Sequence, residues 1–323
     1  IGTKPRNGLA ALDAKTGLPL EWNPQIDNGN NSVFALSLSH DDKILYVAGE
    51  FNTIGGKKRN SLAAIDTRTA LATDWDPNPS LDNFFGEPTE QPIIYTLSLT
   101  DNGKILYVGG KFNNIGGKKR NGLAAIDTRT ALATDWDPNP SNLIDRYGER
   151  INKPIFYTLS LTHDGKILYV GGAFNNIGGK KRIGLAALDT STGLATNWSA
   201  NVEINDVLGT LIDYDRLDGI VYSLALSSDG SVLYVGGWFD TIGGQLHPCS
   251  NHEEIYEMKN CYRTKGGEIK IHFAAVDAKT GKVLPLNFNT NDEVYALSLS
   301  PNGSLLFIGG LFKSGGGEAR RYL

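Results

Sequence analysis

Apolar and small polar residues alternate along Val33-Phe34-Ala35-Leu36-Ser37-Leu38-Ser39. A period of two belongs to a strand with one face turned to a core. The polar triplet His40-Asp41-Asp42 ends it. Ile44–Phe51 then runs through β-branched and aromatic residues with a single glycine, which predicts a second strand. The loop Ile54-Gly55-Gly56-Lys57-Lys58-Arg59 leads into Leu62-Ala63-Ala64-Ile65-Asp66, a third strand. A threonine-rich turn leads on to a segment around Trp75, expected as a fourth. Apolar residues do not recur at helical spacing, and Gly and Pro punctuate the chain every few residues, so helices are not expected.

The pattern recurs along the chain. The first strand returns at Ile94–Thr100, Phe156–Thr162, Val221–Ser227 and Val294–Ser300. The turn after it reads Asn102-Gly103, Asp164-Gly165, Asp229-Gly230 and Asn302-Gly303, where glycine takes the positive φ of a tight hairpin. Units of about sixty residues with four antiparallel strands each predict an all-β propeller. The third-strand phrase first appears at Leu9–Asp13 and the Trp segment at Trp22, ahead of any first strand, whereas the last unit stops at Leu323 where its third strand is due. The expectation is a single domain of five blades closed by the termini, which removes open sheet edges. Residues 1–32 supply the outer strands of the closing blade and 293–323 its inner strands. The other blades span 33–92, 93–154, 155–219 and 220–292. Arg320-Arg321-Tyr322-Leu323 aligns with the Pro5–Leu9 loop, so the chain overlaps itself slightly, as a piece of a longer protein would.

The phrases LSxDGxxLYVGGxF and LAAID resemble the repeats of bacterial and archaeal surface propellers, the YVTN-type and delta-type repeats of about sixty residues. The resemblance covers nearly the whole chain and implies an exported propeller. It implies no particular activity, because the same fold carries many functions.

Composition narrows the picture. The 323 residues carry a net charge of -4, too mildly acidic a balance for a general nucleic-acid binder. No apolar run approaches the length of a membrane-spanning helix. The chain begins at Ile1 rather than Met, which together with the resemblance and the cysteines leads to an expectation of export to the cell surface or the extracellular space.

Candidate chemistry lies where the repeat is interrupted or charged. The long insertions Pro77–Pro92, Pro138–Pro154, Ser199–Gly219 and Gly243–Lys270 all fall on loops expected to share one face, so a protein or glycan partner is expected there. The last insertion holds both cysteines. In an apparently exported chain Cys249 and Cys261 are read as a disulfide, with zinc held by His247, Cys249, His252 and Cys261 as the alternative. Asp213, Asp215 and Asp218 have the oxygen-rich character of a calcium loop without its regular spacing, and solvated loop acids are the plainer reading. No other cofactor is suggested.

Basic residues cluster as Lys57-Lys58-Arg59, Lys118-Lys119-Arg120 and Lys180-Lys181-Arg182. They form a candidate surface for an acidic glycan or other polyanion. The competing reading is solvated charge, with a structural Arg paired to Asp74 or Asp135. Trp22, Trp75, Trp136 and Trp198 recur once per unit and suit either blade packing or sugar stacking. The five histidines sit in no recognisable catalytic constellation, and nucleophile-elbow, phosphate-loop and zinc-protease motifs are absent from the sequence. A non-enzymatic binding or structural module is therefore expected, with a polysaccharide-cleaving or redox propeller as the alternative.

Overall fold

The computed structural model describes residues 5–27, 32–82, 88–141, 143–144, 150–203, 219–248, 262–265, 268–286, 288–316 and 318–319. Among them every regular element is a strand. The chain divides into two compact units, Ile1–Asp137 and Pro138–Leu323.

The first unit holds two repeat sheets. Each is an antiparallel ladder in chain order: Ser32–Leu38, Ile44–Glu50 and Leu62–Asp66 in one, Ile93–Leu99, Ile105–Lys111 and Leu123–Asp127 in the other. The second unit repeats this with Ile155–Leu161, Ile167–Ala173 and Leu185–Asp189, then with Ile220–Leu226, Val232–Trp238 and Phe273–Asp277. Its last sheet pairs Val294–Leu299 with Leu306–Gly310. Repeated antiparallel sheets of this kind are those of propeller-like repeats.

The expected fourth strand is reduced to a single bridge. Ile65 pairs with Ala72, Ile126 with Ala133, Leu188 with Ala195 and Val276 with Val283, and each ladder stops there. Pro77 and Pro79 follow Trp75, and Pro138 and Pro140 follow Trp136. Proline has no N–H to give a ladder, yet the Leu188–Ala195 copy also ends at one bridge with Ser199 and Ala200 after Trp198, so with or without proline the segment leaves its sheet almost at once. It crosses to the next repeat instead. Ile26 pairs with Ile54, Ser80 with Asn114 and Val202 with Ile242, so the connector leaving one repeat adds to the Gly-Gly hairpin of the following one.

The core lies between successive sheets. In the first unit Tyr46, Ala48 and Leu62 meet Ile94, Leu106, Val108 and Phe112. In the second, Tyr169, Leu185 and Ala187 meet Val221, Leu224 and Val235, and Phe273 meets Val294. The second strands Ile44–Glu50, Ile105–Lys111 and Ile167–Ala173 are covered on both faces, which explains their continuous apolar runs where the first strands alternate. Full burial of Phe51, Phe112, Phe174 and Phe239 stabilises by about 1.5–3 kcal/mol each. Close approach of the sheets depends on glycine: a Cβ at Gly171 would lie 2.6 Å from Val221 Cγ1, and one at Gly236 would lie 2.6 Å from Val294 Cγ1.

Aspartates build the turns. Asp66 Oδ1 accepts from the amides of Arg68 and Thr69 and from the Thr69 hydroxyl, and Asp277 does the same with Lys279 and Thr280. In the first hairpin turn Asp41 accepts from the Ser39 hydroxyl, and in the fourth Asp229 accepts from Ser227 and Ser231. Hydrogen bonds from those serine hydroxyls, then from neighbouring groups, hold both Asp41 and Asp229 down to about 2. A free aspartate titrates near about 3.9. A depressed folded value means that these turns add stability above the unfolded value and lose it as pH falls toward the folded one. Melting temperature should therefore hold steady near neutrality and drop between about pH 4 and about pH 2. The Asp41→Asn, Asp229→Asn double variant should show a shallower drop by circular dichroism. An acid limb identical to that of the parent chain would remove these turns from the cause.

Candidate binding site at the Lys-Lys-Arg hairpins

Thr53–Ile54 and Lys57–Lys58 form a two-residue hairpin around Gly55-Gly56, both at positive φ (59° and 77°). That is the demand of a type I′ turn. Asn114–Ile115 with Lys118–Lys119, and Asn176–Ile177 with Lys180–Lys181, repeat the arrangement. Successive side chains on a strand point to opposite faces, so the two lysines of each pair diverge.

The first lysine turns back on the Trp segment. Lys57 Nζ lies 2.5 Å from Asp74 Oδ1, and Lys118 pairs with Asp135. The lysine's hydrogen bond and charge hold each aspartate below its ordinary value. The carboxylates are fully solvent-accessible, so such pairs add little stability. The second lysine, Lys58 or Lys119, is exposed to solvent.

The arginine is structural. Arg59 Nη2 donates to the Thr73 carbonyl at 2.6 Å, and Nη1 donates to the Lys58 carbonyl at 2.7 Å and meets Asp76 at 3.4 Å. Arg120 binds Thr134, Lys119 and Asp137 in the same way, at 2.7, 2.8 and 3.2 Å. Arg182 keeps the two carbonyls, Lys181 at 2.8 Å and Thr196 at 2.9 Å. Arg6 reaches the Leu20 carbonyl at 2.6 Å, and Lys270 reaches that of Leu286 at 3.0 Å. The expected pairing of arginine with Asp74 or Asp135 is thus corrected. Asp74 and Asp135 take the lysines, while the arginines take Asp76 and Asp137, on the other side of Trp75 and Trp136.

The tryptophans serve packing. Trp75 meets Tyr46 edge-on at 5.2 Å and donates Nε1–H to the Asp127 carbonyl of the next repeat at 3.2 Å. Trp198 meets Tyr169 at 5.3 Å and donates to Asp277 at 3.2 Å. A ring held by its own sheet and tied to the next is not presented for sugar stacking.

Sequence reasoning passed over a second aromatic series, on the first strands. Phe34 meets Tyr95 at 5.3 Å in the first unit, and Tyr157, Tyr222 and Tyr295 follow one another at 5.2 and 5.0 Å in the second. Its signal was the aromatic one place after the first apolar residue of every first-strand copy. Tyr295 donates to Glu293, and that bond, with burial, pushes its hydroxyl up to about 12.

Cys249, Cys261, His252, Asp213, Asp215 and Asp218 lie outside the described residues. Gln245–Pro248 and Tyr262–Lys265, the strands on either side of the cysteine segment, pair with each other. Among the described residues no group of three or more His, Cys, Asp or Glu side chains is placed to hold a metal ion. His272 sits at a left-handed φ of 62°, with a buried Nδ1 and a value lowered by burial.

No protein-family model matches the chain, and no curated protein does. Among solved structures, hydrazine synthase from Kuenenia stuttgartiensis is similar at 16% sequence identity with a TM-score of 0.47, over 92% of this chain. The match spans 66% of that chain's length.

Proposed function

We propose that the chain is a non-enzymatic binding or structural module of the cell surface or extracellular matrix that takes an acidic glycan at its Lys-Lys-Arg hairpins. The observation behind this is the division of labour within each hairpin. Arg59 and Arg120 are tied to backbone, Lys57 and Lys118 are paired, and Lys58 and Lys119 face solvent at equivalent positions. Repeated cations on rigid hairpins suit a polymer with repeated anions.

The scaffold under this reading is a five-bladed propeller closed by its termini, with the Leu9–Asp13 segment extending the sheet of Val294–Leu299 and Leu306–Gly310. The Cys249–Cys261 disulfide belongs to the same reading. Its support is the register Gln245 to Lys265 through Pro248 to Tyr262, which ends on the residues adjoining the two cysteines.

Four measurements test these points. On a glycan array the chain should bind acidic rather than neutral polysaccharides, and Lys58→Gln with Lys119→Gln should weaken binding several-fold and flatten its salt dependence, because exposed charges are screened within about 8–10 Å. Turnover of a bound polysaccharide, abolished by changing one loop carboxylate, would replace the binding reading with an enzymatic one. Thiol titration of the unfolded chain without reductant should find no free thiol; two would sink the disulfide. Closure would cover Gly309, whose Cβ position meets, among the described residues, only Ala296 of its own sheet, at 3.7 Å. Gly309→Ala should then lower the denaturation midpoint as Gly236→Ala does, by the roughly 1–3 kcal/mol of an overpacked core. A silent Gly309→Ala beside a damaging Gly236→Ala would argue for an open series.

A further inference from the structure

The third hairpin differs from the first two in the groups that face its cations. Seventeen residues after the first lysine stands Asp74, then Asp135, then Asn197, and seventeen after the arginine stands Asp76, then Asp137, then Ser199. The third repeat keeps both cations and lacks both carboxylates. The frame around them is unchanged: Arg182 donates to the Lys181 and Thr196 carbonyls just as Arg59 donates to Lys58 and Thr73.

What replaces the acids is a set of donors. Lys180 Nζ binds Asn197 Oδ1 at 2.6 Å and the Thr196 carbonyl at 3.2 Å, which satisfies hydrogen bonds without cancelling charge. Asn197 is exposed, and its amide nitrogen remains a donor. Ser199 Oγ accepts from Asn201 Nδ2 at 2.9 Å, which leaves its O–H to donate. Arg182 Nε is buried without a hydrogen-bond partner, as are those of Arg59 and Arg120, so the difference between the repeats lies at the Nη atoms, where Arg59 and Arg120 meet Asp76 and Asp137. Among the described residues no carboxylate pairs with Arg182, whereas Asp76 and Asp137 pair with Arg59 and Arg120, and burial lowers the Arg182 value. Serine is also shorter than aspartate and carries no charge to set against Arg182.

We propose that Lys180, Arg182, Asn197 and Ser199 form a subsite for one carboxylate of a uronate-type saccharide, which takes the place of the two aspartates of the sister repeats. A carboxylate has the two oxygens needed to meet a guanidinium and an ammonium together, and charge-assisted bonds of this kind are the strong ones. This rests on the acidic-glycan reading and narrows it to one hairpin and one anion class.

The test uses the full chain with oligogalacturonate as the probe, its methyl-esterified form as the uncharged control and poly-glutamate as a protein-like carboxylate. Asn197→Asp with Ser199→Asp rebuilds the internal pairs of the first two repeats, so the variant should fold at least as well as the parent chain. It should bind oligogalacturonate at least tenfold more weakly, and Lys180→Gln should do likewise. Loss of binding in Lys58→Gln with Lys119→Gln, but not in Asn197→Asp with Ser199→Asp, would overturn the subsite and leave the broader reading standing. Parent-strength binding in all three variants, or no binding of oligogalacturonate by the parent chain, would overturn both. Equal binding of the methyl ester would overturn the carboxylate assignment, and tighter binding of poly-glutamate would overturn the saccharide assignment.

Discussion

One glycine in each Gly-Gly hairpin ties three segments of chain together. The amide of Gly55 donates to the carbonyl of Pro24, on the connector arriving from the preceding segment, while its own carbonyl accepts from Ala72, on the Trp segment of the same repeat. Gly116 and Gly178 do the same with Pro77 and Ala133, and with Pro138 and Ala195. Any side chain there would run into the backbone of Ala72, Ala133 or Ala195, and φ is near +58° in all three. Glycine is thus required on two grounds, conformation and space. Because this glycine sets the direction of the hairpin, it also fixes where Lys57, Lys58 and Arg59 emerge. The candidate site therefore follows from the same bonds that join one repeat to the next.

The joint between repeats is reinforced by polar groups at the sheet faces. Thr158 Oγ1 accepts from the Leu224 amide at 3.1 Å, and Ser223 Oγ accepts from Leu297 at 3.0 Å, each reaching from one first strand to the next. The indole bonds from Trp75 and Trp198 act at the far end of the sheets. Net contributions of about 1 kcal/mol per bond are modest, but they orient faces that apolar packing alone would leave free to slide.

Much of this was legible beforehand, for identifiable reasons. The period-two strands, the Gly-bearing turns and the repeat length are written in local pattern, and local pattern determines hairpins. The fourth segment, near Trp75, looks extended in every copy, but it joins its sheet by one bridge only, in the proline-free Ala195 copy as in the Ala72 and Ala133 copies. The charge pairs were misassigned because sequence does not say which of two acids flanking Trp75 faces which cation. That depends on how far Lys57 and Arg59 reach along the face they share, which appears only once the hairpin is built. The exchange of both acids for Asn197 and Ser199 was visible in the sequence throughout, but it had no meaning until Lys57 and Arg59 were found to use those positions.

A repeated scaffold also separates what the fold needs from what a site needs. Arg59, Arg120 and Arg182 make the same two backbone bonds, so those bonds belong to the fold. The acids do not: the third hairpin has the same register as the first two with neither of them. Two aspartates that the hairpin folds without are therefore free to vary. Their loss beside retained cations changes local electrostatics while leaving backbone geometry intact. A surface built this way can acquire a distinct anion preference at one repeat with no change to the bonds that hold the sheets together.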